Sequence, residues 1–308
     1  MPVNVGQVIG ETEYTALRSG INTVMGTPAG SGDTSTGYNQ TITAPSVSVG
    51  DTITANQWNA LRTDIRKASA HQAGGSNAVA LTLTDADTGI TKVIHDEYES
   101  ALSTVTTNRF ILATDQSTLS TASNKTKTDW NGVQVHDVQL SWGADANDFK
   151  SFWNAGGSIK IVTSLAYTGS EAKTLDWKTM IDNAPNVVVN YTSAFADGGG
   201  SGGTITDTGM YDLNTNGTEV QIYQRGGATP YSENDYQIFI RYIANGIRVR
   251  IVFRDDDTGD QQGGPKPGPD VDENVKGTLT TTLYYRRATG TNVQVPAPSV
   301  SLGADNTF

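Results

Sequence analysis

The chain has 308 residues, 36% of them hydrophobic and 17% charged, with 33 Gly, 10 Pro and no Cys. That composition suits a folded soluble protein of two or three domains, rich in strands and turns because Thr, Ser, Asn, Asp and Gly crowd it while Leu, Lys and Glu are sparse. The 21 basic against 32 acidic side chains leave a formal charge of −11, which argues against general binding to nucleic acid or to an anionic membrane surface.

No apolar run approaches the roughly 18 residues of a transmembrane helix. The opening Met1, Pro2, Val3, Asn4 and Val5 is not a basic start followed by an apolar core. Neither membrane insertion nor a secretory signal is therefore expected. A chain without Cys has no disulfides, thiol catalysis or thiolate metal sites.

Residues 5 to 25 and 49 to 69 align without gaps and are identical at seven of 21 positions, with Tyr14 and Trp58 as aromatic equivalents. Tyr14, Leu17 and Ile21 in the first copy, and Trp58, Leu61 and Ile65 in the second, have the three and four spacing of one helical face. Thr54 with Gln57 fits a capping box and Gly10 with Glu13 a weaker one, so helices are predicted to start near 10 and 54. Helices this short bury their stripe only against a partner, either each other or a neighbouring subunit. These six residues are the expected docking face, and an intrachain core is the alternative.

The segment between the copies, rich in Gly, Ser, Thr and Pro, reads as an exposed, extended arm that lies on another chain. After the second copy, HQAGGSNAV reads as a hinge. A third helix is expected near 90 to 106, with Ile90, Val93, Ile94, Glu97, Tyr98, Ala101, Leu102 and Val105 at helical spacing, as a degenerate third copy. These features divide the chain into a helical docking region, 1 to 73, a connecting segment, 74 to 130, and a β-sandwich-like domain, 131 to 308.

From about Val133 the apolar period changes to two. Seven strands are predicted at 133–142, 158–165, 186–192, 219–224, 235–243, 247–254 and 278–286, the first with a bulge near His136 and Asp137. Two short helices, one carrying Phe149, Phe152 and Trp153 and stopped at Gly156, the other capped by Ser170 and stopped by Pro185, are placed over the sandwich. The expected fold class is α+β, mainly β. The glycine run 198 to 203 and the acidic stretch 255 to 276 read as exposed loops.

The glycine run matches two short motifs trivially and nominates neither a nucleotide nor a nucleophile site. His71, His95 and His136 are isolated in sequence, which argues against a zinc or Ser-His-Asp site. Asp255, Asp257 and Asp260 offer oxygen ligands to calcium, although their spacing is not that of an EF-hand and a solvated or partner-facing loop is the commoner reading. Five Trp and 12 Tyr would suit sugar stacking if exposed on one face, and core packing explains most of them more cheaply. No catalytic residue and no cofactor is assigned, and the chain is read as a non-enzyme.

Three stretches together, VSVGDTITANQWNALRTDI with HQAGG, FWNAGGSIKI, and DENVKGTLTTTLYYRRATGTNVQVPAPSV, resemble virion structural proteins of tailed phages, above all marine and cyanobacterial myophages. The resemblance implies a structural subunit of the tail, baseplate or neck, present in multiple copies, made in the host cytoplasm and assembled into the virion. The implied partners are further copies of the chain, as a trimer or hexamer, and other virion proteins. A receptor-binding tip or fibre module that holds a host surface glycan is the alternative.

Overall fold

The two copies of the repeat fold as α1 (Glu11–Met25) and α2 (Ala55–Ala73) in the computed structural model, which describes residues 9–85, 90–143, 145–214, 217–256 and 274–303. At α2 the capping box closes: the Thr54 hydroxyl accepts from the Gln57 N–H at 3.3 Å, and the Gln57 side chain accepts from the Thr54 N–H at 2.7 Å. At α1 only half of it forms, because Gly10 has no side chain, and its N–H donates to Glu13 Oε2 at 3.0 Å. The predicted third helix is α3 (Lys92–Thr107), capped by Thr91.

These three helices pack pairwise around one core. Tyr14, Trp58 and Tyr98 occupy equivalent positions in α1, α2 and α3, all fully buried, with ring centroids 6.2 Å apart for Tyr14 and Trp58 and 5.1 Å apart for Trp58 and Tyr98. One turn on, Leu17, Leu61 and Ala101 are equivalent and buried, and the turn after that brings Ile21, Ile65 and Val105. The third copy is thus a copy in space, with Ala101 where the others have Leu. The expected docking face is corrected here: Tyr14, Leu17, Ile21, Trp58, Leu61 and Ile65 are the intrachain core. Three amphipathic stripes in one chain satisfy each other and leave none for a neighbour.

The segment between the copies is not a free arm. Tyr38 and Ala44 are buried, Ala29 and Thr36 form an antiparallel bridge, and the backbone at Thr43 and Ala44 is tied to α2. Polar composition marked it as a loop, and its ordered contacts come from a few aromatic and backbone anchors. The HQAGG stretch ends α2 at Gly74, whose φ of +99° is open to glycine, and Gly75 N–H donates to Asp115 at 2.9 Å.

The chain divides into two compact units. The first draws on Met1–Thr118, Asp145–Gly157 and Arg287–Ala297, and the second on Leu119–Ala144, Ser158–Arg286 and Pro298–Phe308. The division differs from the expected one because the chain returns to the helical unit twice. One return is α4 (Ala146–Asn154), whose Phe149, Phe152 and Trp153 are buried there rather than over the sandwich. Asn154 explains this placement: its amide donates to the carbonyls of Thr36 and Gly37 and its oxygen accepts from Ser35. Gly156, at φ +77°, ends α4 in a Schellman motif, with Gly156 N–H to Trp153 O and Gly157 N–H to Phe152 O.

The second unit is a β-sandwich-like pair of antiparallel sheets. Its strands are β1 (Ser117–Trp130), β2 (Val133–Ser141), β3 (Ser158–Ala166), β4 (Pro185–Val189), β5 (Ala194–Gly199), β6 (Thr204–Ile205), β7 (Val220–Gly226), β8 (Asp235–Ile243), β9 (Gly246–Arg254), β10 (Val275–Ala288) and β11 (Ser299–Leu302). One sheet runs β1-β10-β3-β4-β5 and the other β11-β2-β9-β8-β7-β6. All seven predicted strands are present. The bulge expected in β2 is absent, since Val133 to Ser141 pair with Arg254 to Gly246 in unbroken register. Both faces of β2 are covered, so apolar residues occur in both phases.

Between the sheets lies an aromatic layer in which Tyr236 and Phe253 stack at 5.1 Å, Trp177 sits 6.3 Å from Phe253, and Trp130 meets Trp177 edge-on at 5.7 Å. Tyr236 on β8 and Thr163 on β3 join the two sheets by a 2.9 Å hydroxyl pair. Trp177 comes from α5 (Ala172–Asp182), which packs on β3 and is capped at Glu171 rather than Ser170. A last short helix, α6 (Met210–Asn214), follows β6. On β9, Ile247, Val249, Ile251 and Phe253 face this core, while Arg248 and Arg250 on the other face pair with Asp137 and Glu219.

Candidate functional site

Polar side chains in the helical unit mostly hold its loops. Arg18 and Arg62, equivalent in the two copies, each donate to a carbonyl of the loop that follows their helix, Ala44 O at 2.9 Å and Leu81 O at 2.6 Å. Asp64 is fully buried and accepts from Thr43 N, Thr43 Oγ1 and Ala44 N, each at 2.8 Å. Tyr14 and Tyr98 donate their hydroxyls to Pro45 O and Thr82 O. A buried carboxylate with three donors is compensated, and Asp64 is a brace rather than a reacting group.

His71 lies one element deeper. Its Nε2 is 3.1 Å from the Ala155 carbonyl, which can only accept, so that nitrogen carries the proton. Burial against Tyr38, whose ring centroid is 4.9 Å away, pushes the imidazole down to about 4, with the Ala155 hydrogen bond opposing. Tyr38 in turn donates to Arg109 O and accepts from Gln72. His71 is therefore a neutral strut at neutral pH.

Among the described residues one group brings three possible metal ligands within 4.8 Å: His95, Asp96 and Glu99 on the first turns of α3. Reading the His residues as isolated missed it, since its signal is a carboxylate one and four residues after a histidine on a helix. The Asp96 carboxylate is taken by Lys92, whose ammonium holds it below the usual carboxylate range, and His95 Nδ1 stands 3.4 Å from it. An ammonium already occupies the charge position that a cation would need.

An open cleft of about 250 Å³ lies between α2, α3 and residues 79 to 81, walled by Val79, Leu81, Ala101 and Val105 with Ser69, Glu97, Ser100 and Thr104 as polar groups. Ser69 Oγ accepts from Val79 N and Glu97 Oε1 from Thr82 N, each at 2.9 Å, and Thr104 Oγ1 donates to Ser100 O at 3.0 Å. The cleft has apolar walls and no convergent reactive group.

The calcium candidates divide. Asp257 and Asp260 lie outside the described residues. Asp255 is not in a solvated loop: its carboxylate is buried and stands 2.8 Å from the buried Lys173 ammonium. The loop expectation fails for Asp255 because it directly follows the last residue of β9, and its N–H donates to Gly132 O at 3.0 Å. Asp256 stays at the surface beside Arg254.

The glycine run belongs partly to a strand. Residues 194–199 pair with β4, and Gly199 and Gly200 lie so close to the Asn183–Asn186 backbone that a side chain would meet it, at 2.1 Å in the case of Gly200. Those glycines serve close approach. All five Trp are buried, six of the 12 Tyr are buried and the other six half-buried. Exposed indole platforms for sugar stacking are therefore absent among the described residues.

The apolar side chains at the surface are instead Val49, which is 90% exposed, Leu83, Val93 and Ile111 in the helical unit, and Phe195, Val300 and Leu302 among those of the sandwich. Val300 and Leu302 alternate on β11, an edge strand. No protein family, no curated protein and no solved structure matches the chain.

Proposed function

We propose that the chain is a structural subunit of a tailed-phage virion, in the tail, baseplate or neck, present in multiple copies and contacting itself and other virion proteins. The observation that carries this reading is the resemblance of three separate stretches, which fall in both units of the chain. The internal repeat supports it in a different way: its helical apolar stripes and most of its buried polar residues are spent on building and bracing one core, which is what a scaffold needs. With the repeat stripes turned inward, contacts between subunits fall to the exposed apolar residues and to the unpaired sheet edges.

The test is immunogold labelling of purified particles of the phage that encodes the chain, with antibody raised against the recombinant protein. Gold on the tail, its end or the neck is expected. Gold confined to the head would overturn the assignment to the tail, and unlabelled particles would overturn the virion reading as a whole.

A further inference from the structure

Two oppositely charged side chains in the sandwich unit are both withdrawn from water and in contact. Lys173 lies in the first turn of α5 and is 1% exposed, the Asp255 carboxylate is fully buried, and Nζ stands 2.8 Å from Oδ2. Trp177 is one helical turn on from Lys173, Phe253 is two residues before Asp255, which directly follows β9, and those rings lie 6.3 Å apart. Burying two full charges is costly, and the mutual attraction of such a pair often fails to recover it. A covalent product has neither charge.

We propose that Lys173 and Asp255 condense to an isopeptide bond that ties α5 to the end of β9. Within the pair, a proton passes from the ammonium to the carboxylate and leaves a neutral amine facing a carboxylic acid. The Nζ lone pair attacks Cγ and forms the C–N bond. One carboxyl oxygen then departs as water with the acid proton and one proton from nitrogen. An ammonium and a carboxylate thus become one amide and one water, with no oxidant, reductant or cofactor. Contact at 2.8 Å places the amine within reach of the carbonyl carbon, and holding reactants in such contact replaces a bimolecular encounter. Exclusion of water removes the solvation that keeps amines and acids ionised in solution.

The bond would close a loop of about 80 residues and join an element packed on one sheet to a strand of the other. With no Cys in the chain, a disulfide cannot supply such a link. A particle subunit under mechanical load gains from a crosslink that does not depend on redox conditions, although the chemistry does not depend on that role.

The experiment is the intact mass of the purified full-length chain, taken denatured after incubation of the folded protein, followed by a tryptic map. The expected mass is about 18 Da below the sequence mass, one water. Trypsin is expected not to cut after Lys173, and the Lys173 segment is expected to be joined to the peptide that begins at Asp255. Asp255→Ala is expected to show the full mass of its own sequence and to be cleaved at Lys173. A wild-type chain at its full sequence mass, with Lys173 cleaved normally, overturns the proposal whether or not the variant folds. So does a lost water that maps to any other position.

Discussion

The buried carboxylates of the helical unit and the sandwich unit are compensated differently, Asp64 by backbone N–H groups and a hydroxyl, Asp137 and Asp255 by basic side chains. In the helical unit the buried Asp64, His71 and Gln72 are bonded to backbone, so side chains of one helix fasten loops and neighbouring elements. In the sandwich the buried Lys173 is matched with another side chain, Asp255, and the aromatic layer does the filling. Backbone partners spread a carboxylate's charge over several donors. Two buried side chains in contact bring an amine against a carboxyl group, which is where new chemistry can arise.

The sharpest way to separate the units is to remove one aromatic from each. Trp58→Ala takes the central ring from the three-helix core and is expected to cost about 3 to 5 kcal/mol. Amide exchange should accelerate in residues 11–25, 55–73 and 92–107 and stay unchanged in β2 and β9. Phe253→Ala should do the reverse. Equal loss of protection in both units from either variant would break the comparison.

Acid probes the helical unit through His71. Its folded-state value, near 4, lies below the ordinary 6.5, so the unfolded chain takes up the proton first. The contribution is complete above about pH 6.5 and is lost as pH falls toward 4, at about 1.4 kcal/mol per pH unit and roughly 3 kcal/mol in all. Urea unfolding of the wild type and of His71→Gln between pH 7 and pH 4 should show a slope in the first that the second lacks.

Asp64→Ala leaves the N–H groups of Thr43 and of the buried Ala44 without their acceptor, and about 2 to 3 kcal/mol is expected to be lost. Limited proteolysis should then cut near residues 40 to 46, which the wild type protects. The smallest effect is at the cap: Thr54→Ala opens the capping box of α2 and should cost about 1 kcal/mol, read as a shift in the urea midpoint.

Much of the fold was legible because it is written in period. The stripes at Tyr14, Trp58 and Tyr98 and the alternation from Ile247 to Phe253 identified α1, α2, α3 and β9 directly. β1 escaped because STLSTASNKTKTDW has few apolar residues, as an exposed edge strand allows, and β11 because four residues are too few for the alternation of Val300 and Leu302 to mark a strand. What periodicity leaves open is which surface a stripe meets. Tyr14, Leu17 and Ile21 would look the same facing a neighbour or facing α2 and α3. The destination of α4 was hidden for a related reason, since it is set by Asn154 reaching a segment more than a hundred residues away. The Lys173 and Asp255 pair had no local signal at all, because sequence distance conceals a contact made by two ends of different elements.

The repeat stripes close on each other within one chain. Hydrogen exchange of the full-length chain across a wide dilution series tests it most directly. Protection of residues 11–25, 55–73 and 92–107 that is independent of concentration is the predicted result. Protection that fades in step with dilution would contradict it, because those helices would then be folding against another copy.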